Sequence, residues 1–203
     1  FPPARPPGIL YSREDPGPGS GGDVSYCTWV AAHPEERLHR AYHDHRYGFP
    51  LQGDAELFGR LILEINQAGL SWTTILKKEA AFERAYEGFD PVRLAAYGEA
   101  ERARLLADAG IIRNRLKVDA ALANARTVFE LQVRHGSFRA WLEAHHPRDH
   151  AAWVKLFKAT FRFTGGEIVK EFLMSTGYLP GAHDPDCPVH ARVLAARPPW
   201  TLV

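Results

Sequence analysis

The segment Leu61-Ile62-Leu63-Glu64-Ile65-Asn66-Gln67-Ala68-Gly69-Leu70-Ser71-Trp72 decides the fold, because one carboxylate interrupts its aliphatic run and a tryptophan follows its turn. A helix over residues 57–68 would place Glu64 on the same face as Leu57 and Leu61, at helical spacing. A carboxylate on a buried face needs a partner or a function. Glu64 is therefore either a core acid paired with backbone N–H groups or an Arg, or an acid at the bottom of a ligand pocket.

The composition indicates an ordinary globular protein. The 203 residues suffice for one substantial core, or for two small lobes that share a cleft, and 45% of them are hydrophobic. The formal net charge of +1 excludes a global attraction to polyanions, so a nucleic-acid surface would have to be a local patch. No apolar run is long enough to span a bilayer, and residues 1–7 lack the apolar core of a signal peptide. We expect a cytoplasmic protein with no membrane partner.

The chain predicts an all-α fold behind a flexible arm. Residues 1–25 are rich in Pro, Gly and Ser, which cannot build a core. From Tyr26 to Tyr178 nearly every segment has helical periodicity, and no strand-like alternation or repeat is sustained. The predicted helices are 57–68 with Asp54 as N-cap, 91–98 after Asp90-Pro91, 99–108, 113–135 ended by Gly136, 138–144 capped by Ser137, one from Asp149 or His150 to Gly165-Gly166, and 168–176. An irregular Pro-rich tail follows.

Histidine and cysteine near both chain ends predict a metal site. The tail contains His183 and Cys187, four residues apart, while Cys27 and His43 lie near the start of the helical region. Two Cys and two His are the ligand set of a closed structural zinc site, although chance spacing among 10 histidines is the alternative. Zinc would join the chain ends in place of a disulfide, which a reducing compartment disfavours. Four protein ligands would leave no open position for catalysis.

Aromatic residues surround these positions. Trp29, Tyr42 and Tyr47 flank the predicted ligands, and Trp72 follows the Glu64 helix. If the chain ends are joined, these rings come close to one another. Stacking faces with one acid suit a planar, electron-poor heterocycle, whereas the alternative is an ordinary aromatic core. We assign Trp141 and Trp153 to the core.

Five groups of residues in this sequence resemble the motifs of a known protein family. In the same order along the chain, the sequence resembles the 3-methyladenine DNA glycosylase I family through Cys27-Thr28-Trp29-Val30, Ala41-Tyr42-His43-Asp44, Glu64 with Gln67-Ala68-Gly69-Leu70-Ser71-Trp72, Phe89-Asp90-Pro91-Val92 and Ala109-Gly110-Ile111-Ile112-Arg113-Asn114-Arg115. The resemblance implies a helix-hairpin-helix DNA glycosylase fold of two helical lobes with a cleft. It also implies a structural zinc held by Cys27, His43, His183 and Cys187, and base-excision repair of N3-methyladenine in double-stranded DNA.

The resemblance also implies roles for individual residues. Glu64 is the catalytic carboxylate and accepts from the amino group of the base, with Trp29, Tyr42, Tyr47 and Trp72 stacking around it. The residues expected to contact DNA are Gln67, Gly69, Leu70, Arg162, Thr164, Gly165, Gly166 and Lys170. Gln67 and Leu70 would fill the gap left by a flipped base, although Leu70 fits a core position equally well. Glycine N–H groups at 165–166 would approach a phosphate at a helix start.

The sequence departs from the family pattern in several places. Related enzymes place a catalytic Asp and, in bifunctional ones, a Lys where this chain has Gly181 and Glu167, so we expect a monofunctional glycosylase. Glu167 and Glu171 put two acids beside the hairpin, where carboxylates oppose phosphate binding. Tyr47 replaces the usual Trp, and Ile65-Asn66 replaces Gly-Gln.

Three alternatives stay open, of which the first two follow from these departures. The first is a zinc-stabilised binder of alkylated or abasic DNA with weak or no activity. The second is a glycosylase with a shifted lesion preference, and the third is a heterocycle-binding protein unrelated to DNA. We expect a monomer whose glycosylase domain spans residues 26–190, followed by a C-terminal tail at 191–203.

Overall fold

The computed structural model describes residues 24–202, so the arm predicted for residues 1–25 lies almost wholly outside the described residues. This range contains α-helices, two short 3-10 turns and no β-strand, which confirms the all-α prediction. The helices are α1 Tyr26–Ala32, α2 Arg37–His45, α3 Asp54–Gln67, α4 Trp72–Ala85, α5 Pro91–Ala95, α6 Glu99–Ala107, α7 Arg115–His135, α8 Phe138–His145, α9 His150–Thr160, α10 Gly166–Ser175 and α11 Pro188–Ala195; the 3-10 turns are Glu87–Phe89 and Pro199–Thr201. Between residues 24 and 202 no helix combines the length and apolar character needed to cross a membrane.

Helix α3 is the centre of the fold. Its residues from Leu57 to Asn66 are all buried, and α4, α7, α8 and α10 pack against it. A helix buried on every side belongs to the interior of a domain and not to its surface. The polar residues Arg60, Glu64 and Asn66 are therefore carried into the core by the helix that the opening segment predicts.

The first turn of α3 supports a second helix. Asp54, predicted as the N-cap, is instead the first helical residue, and Gly53 occupies the cap position. The Asp54 carboxylate accepts hydrogen bonds from the backbone N–H groups of Phe138 at 2.8 Å and Arg139 at 3.1 Å. It thereby satisfies the free donors at the start of α8, where a negative charge is favourable. The N-cap prediction was wrong because the partner of Asp54 lies 84 residues further along the chain.

A buried lysine closes the other end of α3. The Nζ atom of Lys117, from α7, donates to the carbonyl oxygens of Asn66 at 2.8 Å and Ala68 at 2.7 Å. These are carbonyls at the helix end, where a cation also interacts favourably with the helix dipole. Burial lowers the pKa of Lys117 to about 8. The turn that follows is closed by the Leu70 N–H, which donates to the Gln67 carbonyl at 2.7 Å.

Several predicted boundaries are confirmed by cap geometry. Asp90 accepts from the first N–H groups of α5 with Pro91 at its first position, and Ser137 accepts from Ala140 N–H at the start of α8. Gly136, at a φ of 86°, ends α7 as predicted. Gly98 does not end α5, which stops at Ala95, but precedes α6. The core assignment of Trp141 and Trp153 is confirmed, since both are buried.

The glycine pair and the tail differ from the prediction. Helix α9 stops at Thr160, and Gly165-Gly166 begins α10 instead of breaking α9. Helix α11 and the last 3-10 turn occupy the tail that was predicted to be irregular. The overlooked signal is Pro188 at the first helical position directly after Cys187, a favourable helix start.

Replacing Asp54 by Ala tests the link between α3 and α8. The variant loses the two backbone bonds at α8 and a third bond from the Gln132 side chain. We expect the free energy of unfolding to fall by about 2 kcal/mol in a denaturant titration. Asp149→Ala, which removes a simple cap bond to Ala152 N–H on α9, is the matched control and should lose about half as much. Equal losses would contradict a bridging role for Asp54.

Candidate active site and metal centre

Glu64 combines burial with an unsatisfied oxygen. Its side chain is 3% exposed, and its Oε1 atom has no hydrogen-bond partner among the described residues. Burial and the nearby Glu171 raise the pKa of Glu64 to about 8, while Arg60 opposes the shift. A core acid held by an Arg or by N–H groups would not leave an acceptor free. Glu64 therefore differs from a core acid whose two oxygens are both paired.

Three of the four predicted stacking residues form one cluster of buried rings. The Tyr42 ring centroid lies 5.1 Å from that of Trp72 and 5.7 Å from that of Tyr47, both in tilted arrangements. The indole Nε1 of Trp72 has no hydrogen-bond partner among residues 24–202. The cluster thus contains an unused donor, and its two tyrosines lie within the electrostatic influence of Glu64, whose Oε1 is an unused acceptor.

Trp29 lies at the edge of this cluster. It is half-buried and stacks on His33 with centroids 4.4 Å apart. Its connection to the other rings runs through Tyr26, whose centroid lies 6.4 Å from Trp29 and 5.6 Å from Tyr47. Sequence reasoning missed Tyr26, although its position directly before Cys27 was a usable signal.

Arg60 is a second residue that sequence reasoning missed. It lies one helical turn before Glu64 on α3 and is buried. Its Nη1 donates to the Tyr42 hydroxyl at 2.8 Å, and its guanidinium carbon lies 4.9 Å from the Tyr42 ring centroid. The spacing of four residues between Arg60 and Glu64 was the available signal. Arg60 fixes the Tyr42 ring and brings a positive charge to the cluster.

Glu171 requires a correction. We expected it beside the hairpin facing a phosphate, but it is buried in α10. The Tyr47 hydroxyl donates to its Oε2 at 3.2 Å, and its Oε1 has no partner in the described chain. Burial raises the pKa of Glu171 to about 7, partly offset by Tyr47 and Lys170. The expectation failed because the second half of α10 is buried, so its acid turns inward.

The four predicted metal ligands meet at one point. The ligand atoms of Cys27, His43, His183 and Cys187 all lie within 4.8 Å of one another. The Cys27 Sγ lies 3.3 Å from His43 Nε2 and 3.5 Å from His183 Nδ1, and the Cys187 Sγ lies 3.8 Å from each of those nitrogens. This group of two sulfurs and two nitrogens can hold a metal ion.

The outer nitrogens of both histidines are already bonded. His43 Nδ1 lies 2.7 Å from a carboxylate oxygen of Asp44, and His183 Nε2 lies 2.8 Å from the backbone carbonyl of Tyr47. Because those acceptors take the ring N–H groups, the remaining nitrogens face the sulfurs as lone-pair donors. The donor set and its surroundings therefore fit a metal ion.

Gly48 lets the tail reach this centre. Its φ of 81° favours glycine, and a Cβ atom at this position would lie 2.8 Å from the Cβ of Ala182. Its N–H donates to the Ser175 carbonyl at 3.1 Å. Only a residue without a side chain allows the segment that carries His183 to pass so close.

The hairpin between α9 and α10 presents an open helix start. Gly165 is exposed, and a Cβ at Gly165 or Gly166 would meet no atom within 4 Å. The side chain of Asn124 holds the turn by accepting from the Arg162 N–H at 2.7 Å and donating to the Arg162 carbonyl at 3.0 Å. Arg162 itself is exposed and Lys170 is half-buried.

The other residues expected to contact DNA differ in accessibility. Thr164 is buried, and its hydroxyl lies 3.2 Å from the carbonyls of Phe157 and Phe161, so its side chain shapes the turn. Gln67 is half-buried, Gly69 is exposed, and Leu70 packs partly against the core.

The raised pKa of Glu64 makes a prediction about stability. The folded-state pKa of about 8 exceeds the ordinary value of 4.5, so the native protein retains a proton that the unfolded chain releases between these pH values. This linkage lowers stability as pH rises through that window. Glu64→Gln removes this pH dependence. The difference in free energy of unfolding, variant minus wild type, should therefore be at least about 1 kcal/mol larger at pH 8.5 than at pH 5.5. Denaturant titrations at both pH values measure the difference, with the exposed Glu130→Gln as control; a pH-independent effect would refute the assignment.

Comparison with known proteins identifies the family of the chain. Residues 29–155 match the family described as methyladenine glycosylase. The chain is 35% identical over 170 residues to DNA-3-methyladenine glycosylase 1 of Escherichia coli (strain K12), covering 74% of this chain and 89% of the relative. It is 34% identical over 181 residues to DNA-3-methyladenine glycosylase of Haemophilus influenzae, covering 80% and 96%. The solved structure of 3-methyladenine DNA glycosylase I from Staphylococcus aureus matches with a TM-score of 0.68 at 32% identity, covering 76% and 92% of the two chains. The chain belongs to the methyladenine glycosylase family.

Proposed function

We propose that this protein is a DNA glycosylase that removes N3-methyladenine from alkylated double-stranded DNA by hydrolysing the N-glycosidic bond. The observation that carries the proposal is the free oxygen of buried Glu64, which acts electrostatically on Tyr42, together with the neighbouring rings of Tyr42 and Trp72. A buried acceptor with stacking rings suits a base that has been turned out of the duplex. The names of the curated relatives describe the same chemistry.

The charge of the substrate explains the role of Glu64. N3-methylated adenine is positively charged in DNA and leaves as a neutral base, so its glycosidic bond needs little acid assistance. Burial keeps a proton on Glu64 at neutral pH, and an arriving cation favours the ionised carboxylate instead. Glu64 therefore accepts from the amino group of the base first and stabilises positive charge on the sugar second. Tyr42, Tyr47 and Trp72 stack on the base, with Trp29 at the rim.

The absence of suitable groups at two positions supports a monofunctional enzyme. A lyase step needs an amine that forms a Schiff base, and the matching hairpin position holds the exposed carboxylate of Glu167. The position of the activating Asp in related enzymes holds Gly181, which has no side chain. The reaction therefore ends at hydrolysis, with water as the acceptor.

The DNA surface combines the hairpin and the turn after α3. The open N–H groups at Gly165 and Gly166 bind a phosphate, and Arg162 and Lys170 add positive charge. Gln67, Gly69 and Leu70 fill the space left by the flipped base, and Thr164 supports the hairpin turn. One chain supplies the whole pocket and this surface, so the protein acts on DNA as a monomer.

The orientation of Glu171 bears on the alternative of an inactive DNA binder. That alternative depends on two acids opposing a phosphate at the hairpin. Glu171 is buried beside Tyr47, which leaves Glu167 as the exposed acid of the pair. The repulsion is therefore smaller than the sequence indicates, and the active enzyme is the better supported function.

The metal in the Cys2His2 centre is zinc with a structural role. Cys27, His43, His183 and Cys187 supply four nitrogen and sulfur ligands, the number and type of a closed zinc site. Their positions in the chain mean that the ion joins α1 and α2 to the tail. With four protein ligands in place it contributes stability and no chemistry.

The glycosylase activity is tested by single-turnover release of methylated bases. With methylated DNA as substrate we expect release of 3-methyladenine, reduced about a hundredfold in Glu64→Gln because the amide cannot ionise when the cationic base binds. Glu130→Gln, exposed on α7, serves as control and should retain full activity. Release no higher than that of the Glu64→Gln variant would refute the function. A panel of other alkylated bases and an abasic duplex identifies a shifted lesion preference or binding without cleavage.

Metal analysis tests the zinc centre. The purified protein should contain about one zinc per chain, and Cys27→Ser or His183→Ala should lose both the metal and several degrees of melting temperature. His135→Ala, exposed at the end of α7, is the control and should change neither property. A zinc-free protein of undiminished melting temperature would contradict the structural role.

A further inference from the structure

We propose that Glu171 is a second carboxyl group of the base pocket and that it gives the pocket a preference for a positively charged base. This inference rests on the proposed function, which assigns the pocket to a flipped base. It adds a specificity-determining residue contributed by α10, a helix that the sequence associates with the hairpin and its phosphate contact.

The position of Glu171 ties it to the aromatic cluster. Its Oε2 accepts from the hydroxyl of Tyr47 at 3.2 Å, and the Tyr47 ring lies 5.7 Å from Tyr42, centroid to centroid. Helix α10 packs against α3, which carries Glu64. The two acids therefore reach the cluster from two adjacent helices.

Both carboxyl groups retain an unused acceptor. The Oε1 atoms of Glu64 and Glu171 are buried and have no hydrogen-bond partner within residues 24–202. Buried acceptors are nearly always paired, so two such atoms around one cluster indicate that a ligand completes them. Trp72 Nε1, a donor without a partner, belongs to the same group.

The charges of the pocket are unbalanced in favour of a cation. Glu171 raises the pKa of Glu64, and both acids raise the pKa of Tyr42 and of Tyr47. Against these two acids, Arg60 donates to the Tyr42 hydroxyl. The guanidinium carbon of Arg46 also lies 5.5 Å from the Tyr42 ring centroid, but the charge of Arg46 is paired with Glu79. Lys170 is half-buried beside Glu171 and offsets part of its charge. A positively charged base supplies the missing charge, whereas a neutral base leaves the carboxyl groups protonated or mutually repelling.

This arrangement separates two tasks. Glu64 alone can accept from the amino group of either normal or methylated adenine, because both carry that group. The second carboxyl distinguishes them by charge, since N3-methylation makes the base cationic while it is attached to the sugar. Glu171 thus favours the lesion over the undamaged base without a contact to the methyl group.

Binding of two small bases tests the inference without DNA or turnover. The probes are 3,9-dimethyladeninium, a permanent cation with a methyl group in place of the sugar, and neutral 9-methyladenine. Calorimetric titration of the full-length, metal-loaded protein gives the ratio of their dissociation constants. We expect wild type to prefer the cation, and Glu171→Gln, which keeps the size and the bond from Tyr47, to lose about tenfold of that preference.

Two further variants complete the design. Glu171→Ser also removes the charge, with a smaller side chain, and should show the same loss of cation preference. A packing defect in either variant would instead weaken the binding of both probes and leave their ratio unchanged. Glu167→Gln, exposed four residues earlier on α10, should leave the ratio unchanged.

The outcomes separate this inference from the proposed function. If Glu171→Gln and Glu171→Ser retain the full cation preference, or if wild type binds the two probes equally, the role of Glu171 is refuted while base release from methylated DNA stands. If wild type binds neither probe and releases no 3-methyladenine, the base pocket itself is refuted, and the proposed function fails with it.

Discussion

Ten successive residues of α3, from Leu57 to Asn66, are removed from solvent, so each polar group among them must find its partner inside the protein. Asn66 donates to the Ile62 carbonyl within the helix, and Arg60 donates to Tyr42. Glu64 retains a free oxygen. The surrounding helices pack around this one element: the first N–H groups of α8 donate to Asp54 of α3, and α7 supplies Lys117 to the carbonyls at the end of α3.

The second constraint is the meeting of the chain ends. The Cys2His2 centre places the tail against the loop after α2, where Gly48 leaves room and Tyr47 offers its carbonyl to His183. That contact brings Tyr47 to α10 and therefore to Glu171. The loop residue Tyr47 therefore contacts both the ring cluster and the metal centre.

The sequence predicted what depends on local chemistry. The periodicity around Glu64, the Asp90-Pro91 start and the stop at Gly136 each act within a few residues, and the Cys2His2 set was identified by ligand type and number. Other bonds join segments that are distant in the chain, so no local pattern predicts them. They are the bonds of Asp54 to α8, of Lys117 to the end of α3 and of Arg60 to Tyr42. Glu171 was misplaced for the same reason, since the orientation of a helical residue depends on which side of α10 the rest of the protein covers.

Tyr47 is held at both ends. His183 bonds to its backbone carbonyl, and its hydroxyl bonds to Glu171, so both the main chain and the tip of the ring are fixed by hydrogen bonds. A side chain that is immobile before a ligand arrives loses little conformational entropy when the ligand stacks on it. The ordering of this ring is therefore completed during folding, and the free energy of a stacking contact is available in full for binding.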